Sequence, residues 1–322
     1  MAVSSPTKTT RRRLSPAKMR EALTAYLFIA PYIITAGIFT FGVLGYVFYT
    51  SFTSLTVSFA AQNAEFVGFD NYIRALQDPD FRLALENVFW YFIIVTTVQT
   101  ILSILLAVAL NMPLKGMRFF RTALYAPSVA SAVVMSLIFL WLYLPTGFIN
   151  LFLGTNIPWL ESLQRIFDPV FGTDAPTFIR GPSITWVSIM VLNIFTTVPT
   201  FMVMFLAALQ DIPKHLYEAA ALDGATGARA FWYITLPQLR RVISLVVVLG
   251  TIGTFLVFAQ VAIMTEGGPL GTTQVPLYLV YQKTLGFGTR PEAGYGAAMA
   301  FILSFIIIGI TLIQRRYIER DA

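Results

Sequence analysis

The chain has 322 residues, of which 57% are hydrophobic, 15% aromatic and only 12% charged, with a mean hydropathy of +0.71. Soluble domains carry about 25% charged residues, so this chain cannot cover its own surface with polar groups, and the same figures exclude disorder. With no cysteine, a single histidine (His215) and a net charge of +6, disulfides, thiolate nucleophiles and His-rich metal clusters are excluded, and the positive charge fits the cytoplasmic side of a membrane protein better than nucleic-acid binding.

The first 20 residues, with Ser, Thr, Pro and the triplet Arg11–Arg13, read as a disordered basic tail lying near anionic lipid; residues 1–25 are assigned to a cytoplasmic tail. Beyond it, charge-free stretches cover 22–64, 87–114, 122–160, 181–210, 242–265 and 293–314. Each exceeds the roughly 20 residues that cross a bilayer as helix. Trimmed by composition, the spans are 26–50, 87–110, 122–144, 183–209, 241–264 and 294–314. Backbone groups in lipid must pair within the segment, so these are six helices of an all-α membrane domain covering 26–317, with a short tail at 318–322. The first apolar run is too long for a signal-peptide core. The loop 145–182 is polar but carries Trp159, Ile166, Phe167 and Phe171, which predicts short helices packed at the outer interface.

Orientation follows from lysine and arginine. With the N-terminus inside, the inner segments hold sixteen of them and the outer loops six, so both termini are expected in the cytoplasm. Within the trimmed spans the only Asp, Glu, Lys, Arg or His is Arg241, at the very edge of the fifth. Ion-coupled carriers and proton relays depend on such groups, so an ion-coupled secondary transporter of a small neutral solute is the weaker alternative. A membrane-embedded enzyme would need paired carboxylates or a placed histidine, and His215 stands alone. No Gly-Lys pair occurs anywhere, so the chain has no P-loop of its own. Energy for uphill movement must enter through a partner.

The segment between the fourth and fifth spans, 210–237, contains Glu218-Ala-Ala-Ala-Leu-Asp223-Gly224-Ala and then Phe231-Trp-Tyr-Ile234-Thr-Leu-Pro237. It reads as two short helices and a tight turn. Pro213 is suited to the first helical turn, the small residues after Glu218 allow close approach of another protein, Gly224 can take the left-handed helix-ending conformation, and Pro237 stops the second helix. This pattern resembles the EAA loop of permease subunits of ABC importers, with Glu218, Ala219, Ala220, Asp223, Gly224, Ala225, Phe231, Ile234, Leu236 and Pro237 at matching spacing. Phe66-Val-Gly-Phe-Asp70-Asn-Tyr72, Asp78-Pro79-Asp80-Phe81, Gly267-Gly268-Pro269 with Thr272-Thr273, Gly294-Tyr295-Gly296 and Gln314-Arg315-Arg316 extend the resemblance over about residues 25–317. It is similar to carbohydrate importer permeases of the maltose and glycerol-3-phosphate type.

The resemblance implies the type I importer permease fold and a heterodimer with a second permease. It also implies a separate ABC ATPase dimer that binds ATP and Mg, an extracellular solute-binding protein and a bacterial or archaeal inner membrane. This chain would bind no cofactor or metal and catalyse nothing. Glu218, Ala219, Ala220, Asp223, Gly224, Phe231 and Pro237 would couple to the ATPase, and Gly267, Gly268 and Pro269 would meet the binding protein. Sugars need hydroxyl, amide and aromatic contacts, so the candidates along the path are Asn193, Thr197, Thr200, Thr251, Thr254 and Gln260. Their alternative role is hydrogen bonding between helices, worth about 0.6 kcal/mol each. In the maltose-type relative the substrate-contacting pattern falls on Gly250, Thr254 and Val257. The absence of a basic group on the path favours a neutral sugar.

Overall fold

The computed structural model describes residues 16–56, 64–112, 115–286 and 290–318. Among these, regular structure is helical apart from two isolated bridges, Thr53–Phe66 and Arg165–Ser183. Five helices are long and apolar enough to cross a membrane, and a helix pair bent by 97° makes six when it is counted as one span. The chain divides into two units, 1–50 and 51–322.

The first unit is helical from Pro16 to Thr50, with a π-helical segment at Gly37–Gly42 between the helices Pro16–Ala36 and Val43–Thr50. Helix therefore begins ten residues before the expected span. This corrects the reading of residues 16–20 as disordered; residues 1–15 and 319–322 lie outside the described residues. The start has a local cause, since proline suits the first helical position and Ala17, Lys18, Met19, Arg20, Glu21, Ala22 and Leu23 are good helix formers. Leu27, Phe28, Tyr32 and Phe39 are exposed along it.

In the second unit the second span runs Pro79–Leu110, eight residues longer than its charge-free part. Asp78 caps it, its Oδ1 accepting from the N–H of Asp80 at 2.8 Å and of Phe81 at 3.4 Å, and Pro79 occupies the first turn. The fourth span is Ile184–Gln210, capped by Ser183, and the sixth is Ala293–Ile318. These agree closely with the charge-free segments. The second and fourth spans pack together through the unit's centre. Tyr91 stacks on Trp186 with ring centroids 4.6 Å apart, and the Trp186 indole donates to the Asn87 carbonyl at 2.9 Å.

Two spans depart from expectation. The third consists of Met117–Val129 and Ala132–Leu142, set at 97° to one another. Pro127 sits in the last turn of the first arm, Ala130 is extended (φ −73°, ψ 145°), and the Ser131 hydroxyl caps the second arm by accepting from Val134 N–H. The fifth span is interrupted, with helices Arg240–Phe255 and Ala259–Met264 separated at Leu256–Phe258. Irregular backbone at membrane depth is tolerated where protein covers it. Here Val257 and Val261 are buried in one cluster with Met135 and Phe139 of the third span's second arm and with Tyr143 just beyond it, so the two broken spans share one apolar cluster.

The segment 145–182 holds the short helices Phe148–Leu153 and Asp168–Phe171. It is locked by a polar knot. Arg180 makes a bidentate pair with Asp168 at 2.6 and 3.1 Å, and the Arg165 guanidinium donates to the carbonyls of Gly181 and Thr177. The Arg180 hydrogen bond holds the Asp168 carboxyl below the usual carboxylate range.

Candidate functional site: the coupling loop and a polar seam

The loop between the fourth and fifth spans is built on one helix, Lys214–Leu222. Pro213 is extended (φ −62°, ψ 132°) and stands just before the helix rather than inside its first turn. The helix ends in a Schellman motif. Ala225 N–H donates to Ala220 O at 2.8 Å and Gly224 N–H to Ala221 O at 3.1 Å, with Gly224 at φ +76°. A Cβ on Gly224 would meet nothing within 4 Å, so it is the backbone conformation that demands glycine, not crowding.

The return arm is Ala228–Ala230, a π-helical turn at Phe231–Thr235, and Leu236–Gln238. Pro237 does not end this arm as expected. It lies in the first turn of the short helix, where its missing N–H costs little, and the chain passes through Leu239, still helical in φ and ψ, into the fifth span. The Tyr217 hydroxyl lies 3.0 Å from Thr235 Oγ1 and ties the two arms. Phe231 packs on the cluster that contains Leu209, Leu239 and Val246. The loop is thus fixed to the ends of two spans. Glu218, Ala219, Asp223 and Gly224 are exposed, Ala220 is half-buried, and Leu222 is 91% exposed.

Of the residues expected along the path, Thr197 and Thr251 join Gln99 and Gln314 in a seam of polar groups between spans. Thr197 Oγ1 lies 2.8 Å from both Gln99 Oε1 and the Asn193 carbonyl. Gln314 Nε2 donates to Thr251 Oγ1 at 2.8 Å, and the Thr251 and Thr254 hydroxyls donate to carbonyls of their own helix. Asn193 is buried, whereas Thr200 on the same helix is exposed. Gln260 is half-buried beyond the interruption that follows Thr254. At Gly250 an added Cβ would collide with Gln99 Nε2, so the amide of the second span fills the space that a side chain at 250 would take.

Sequence reasoning missed Thr96, Gln99 and the bonding of Gln314. Their Oγ1, Nε2 and Oε1 atoms respectively are buried without a protein partner. Thr96 and Gln314, together with Thr97, Thr100 and Val247, line a cavity of about 310 Å³. A glutamine in the middle of a charge-free span was the available signal for Gln99.

At the opposite end from the loop, the motifs scattered through the sequence come together. Tyr295 donates to Asp78 Oδ2 at 2.6 Å, and Arg74 pairs with Glu292 at 2.9 Å while lying 4.1 Å from the Tyr295 ring centroid. Burial opposes ionisation of Asp78, but the bonds from Tyr295, Asp80 and Phe81 outweigh it and hold its pKa low. Asn87 Nδ2 donates to Gly271 O and Gln274 O, both at 2.9 Å, and anchors the loop that begins at Gly267. Gly267 has φ +84°, and its missing Cβ leaves room for Gln274 Oε1. Thr273 Oγ1 donates to Gly268 O at 2.7 Å.

Several long apolar helices, joined by a loop whose helix Lys214–Leu222 is largely exposed, define a multi-pass membrane component. A protein-family model described as binding-protein-dependent transport system inner membrane component matches residues 90–320. The probable ABC transporter permease protein YurN of Bacillus subtilis is 31% identical over 93% of this chain and 97% of its own length. The arabinooligosaccharides transport system permease protein AraP of Halalkalibacterium halodurans is 31% identical over 91% of this chain and 87% of its own. A crystal structure of a bacterial ABC transporter involved in import of the acidic polysaccharide alginate matches with a TM-score of 0.76 at 19% identity, covering 94% of this chain and 98% of that one. The chain therefore belongs to the family of binding-protein-dependent transport system inner membrane components, as a non-enzymatic ABC importer permease.

Proposed function

We propose that the chain carries a neutral sugar or oligosaccharide, handed over by a solute-binding protein outside a bacterial or archaeal cell, and that it does so paired with a second permease. The exposed, Schellman-capped helix Lys214–Leu222 carries the reading. It is rigid, small-sided at Ala219 and Ala220, and joined to the fourth and fifth spans, as a lever worked from outside the membrane must be. A separate ATPase dimer holding ATP and Mg would receive this helix, with Glu218 making polar contacts and Gly224 setting the turn. Closure of that dimer would move the loop and, through Phe231 and Leu239, the spans. Both termini and this loop would then face the cytoplasm, and Gly267–Pro269 would meet the binding protein.

The sugar assignment rests on the seam of amides and hydroxyls at Gln99, Thr197, Thr251 and Gln314 and on relatives named for arabinooligosaccharides and lactose. Relatives named for sn-glycerol-3-phosphate also match at about the same identity, 30% for the Agrobacterium fabrum protein. A phosphate ester would call for a basic group along the path, and the seam has none. The test is purification in gentle detergent followed by uptake in vesicles. Recovery of a second permease and an ATPase, with sugar uptake that needs ATP and the binding protein, supports the proposal. Uptake driven by an ion gradient, or uptake only of a phosphate ester, refutes it.

A further inference from the structure

The chain leaves the third span at Leu142 and, after a turn, forms the six-residue helix Phe148–Leu153. Asn150 holds this helix in place. It is 2% exposed, its Nδ2 donates to the carbonyls of Leu144, Pro145 and Ile157, and its Oδ1 accepts from Thr155 Oγ1, Ile157 N–H and Trp159 Nε1–H. With Asn150 turned inward, the opposite side of the helix must face out. There Phe148, Leu151 and Phe152 are 63%, 79% and 78% exposed, and the two phenylalanine rings stack at 6.0 Å.

This outward face contains no hydrogen-bonding group. The span that precedes it in the chain also exposes apolar side chains, among them Ile138 and Trp141, and no charged residue occurs between 122 and 160. The fourth span, 27 residues and so about 40 Å long, separates this region from the coupling loop, so the helix lies at the opposite membrane face.

We propose that Phe148–Leu153 is an interfacial anchor whose apolar face is covered by lipid, at the boundary between headgroups and acyl chains. A protein interface of useful size carries about one hydrogen bond per 100–200 Å², and this face offers none. Its Phe and Leu side chains suit partial immersion of about 5–10 Å, and Trp141 at the end of the adjoining span is of the type that marks the membrane–water boundary. The anchor fixes the height of the bent third span at its outer arm, where the interrupted fifth span packs.

The chain has no cysteine, so single cysteines can be introduced at Leu151→Cys, Phe152→Cys and, as control, the exposed Glu161→Cys. Each is labelled with nitrobenzoxadiazole in the complete transporter, with partner cysteines replaced, in phosphatidylcholine vesicles carrying nitroxide lipids. Shallow nitroxides are expected to quench the labels at 151 and 152 at least about twofold more than nitroxides at the acyl terminus, with the label at 161 unquenched. If the labels at 151 and 152 are as unquenched as that at 161, protein covers the face and the proposal is overturned. Stronger quenching by the deep nitroxides also overturns it, because the helix would then not be interfacial. Neither result depends on which solute the transporter carries.

Discussion

Replacing Gly224 separates the geometry of the coupling loop from the folding of the rest of the chain. Its φ of +76° costs a non-glycine residue about 1–2 kcal/mol, and a β-branched residue stands at the upper end of that range. No heavy atom lies within 4 Å of an added Cβ, so Gly224→Val introduces backbone strain without a clash in the core. About 2 kcal/mol placed on the Schellman turn shifts its closed-to-open ratio roughly 30-fold, which loosens Lys214–Leu222 from the return arm. Asparagine tolerates the left-handed region, and alanine should lie between. The assay is the ratio of sugar taken up to ATP hydrolysed in reconstituted vesicles, at matched amounts of assembled transporter. The ratio should fall in the order Gly, Asn, Ala, Val while ATP hydrolysis persists. A valine variant with the wild-type ratio, or an asparagine variant as poor as valine, would refute the argument.

Three further outcomes follow from individual contacts. Gly250→Ala should lower the thermal stability of the purified transporter by about 1–3 kcal/mol, because its Cβ would meet the buried Gln99 amide; adding Gln99→Ala should restore part of the loss, and simple additivity of the two would disprove the contact. Asn150→Ala strands several buried donors and acceptors, each costing about 1–3 kcal/mol, so the melting temperature should drop well beyond that of Asn156→Ala in the same segment; equal drops would count against the anchoring role of the Asn150 amide. Arg180 depresses the Asp168 carboxyl, so its stabilisation is fully present above the ordinary carboxylate pKa of about 3.9 and is lost only as pH falls through the lower folded value. Thermal stability should therefore show a component that declines below about pH 4 and is missing in Asp168→Asn; an unchanged acid profile in that variant would contradict the assignment.

The number and approximate position of the spans could be read from where charge is absent, because lipid excludes charge whatever the details of packing. The turn of the loop between the fourth and fifth spans could be read because it requires a left-handed residue, and Gly224 supplies it; the small side chains of Ala219 and Ala220 support only the proposed docking role. What the sequence concealed was set by local backbone choices. The charge-free run 122–160 continues through Ala130, so the 97° bend escaped a reading based on charge alone, although Pro127 and the capping Ser131 mark its place and the second arm is much the more apolar; the interruption at Leu256–Phe258 lies in an unbroken apolar run. The outer eight residues of the second span were hidden because Asp80, Arg82 and Glu86 make them look like a loop. The seam was only half visible. Threonines on the fourth and fifth spans stood out, but Gln99 became meaningful only when Gly250 was seen to leave room for it.

The central claim, that Lys214–Leu222 is the element on which an ATPase acts, is tested most directly at Leu222, which is 91% exposed on that helix. With no native cysteine in the chain, Leu222→Cys can carry a benzophenone and be photolysed in the assembled transporter. The account predicts one major adduct, with the ATPase subunit, whose formation stops sugar uptake. Adducts with lipid alone, or a modified transporter that still takes up sugar at the normal rate, would contradict it.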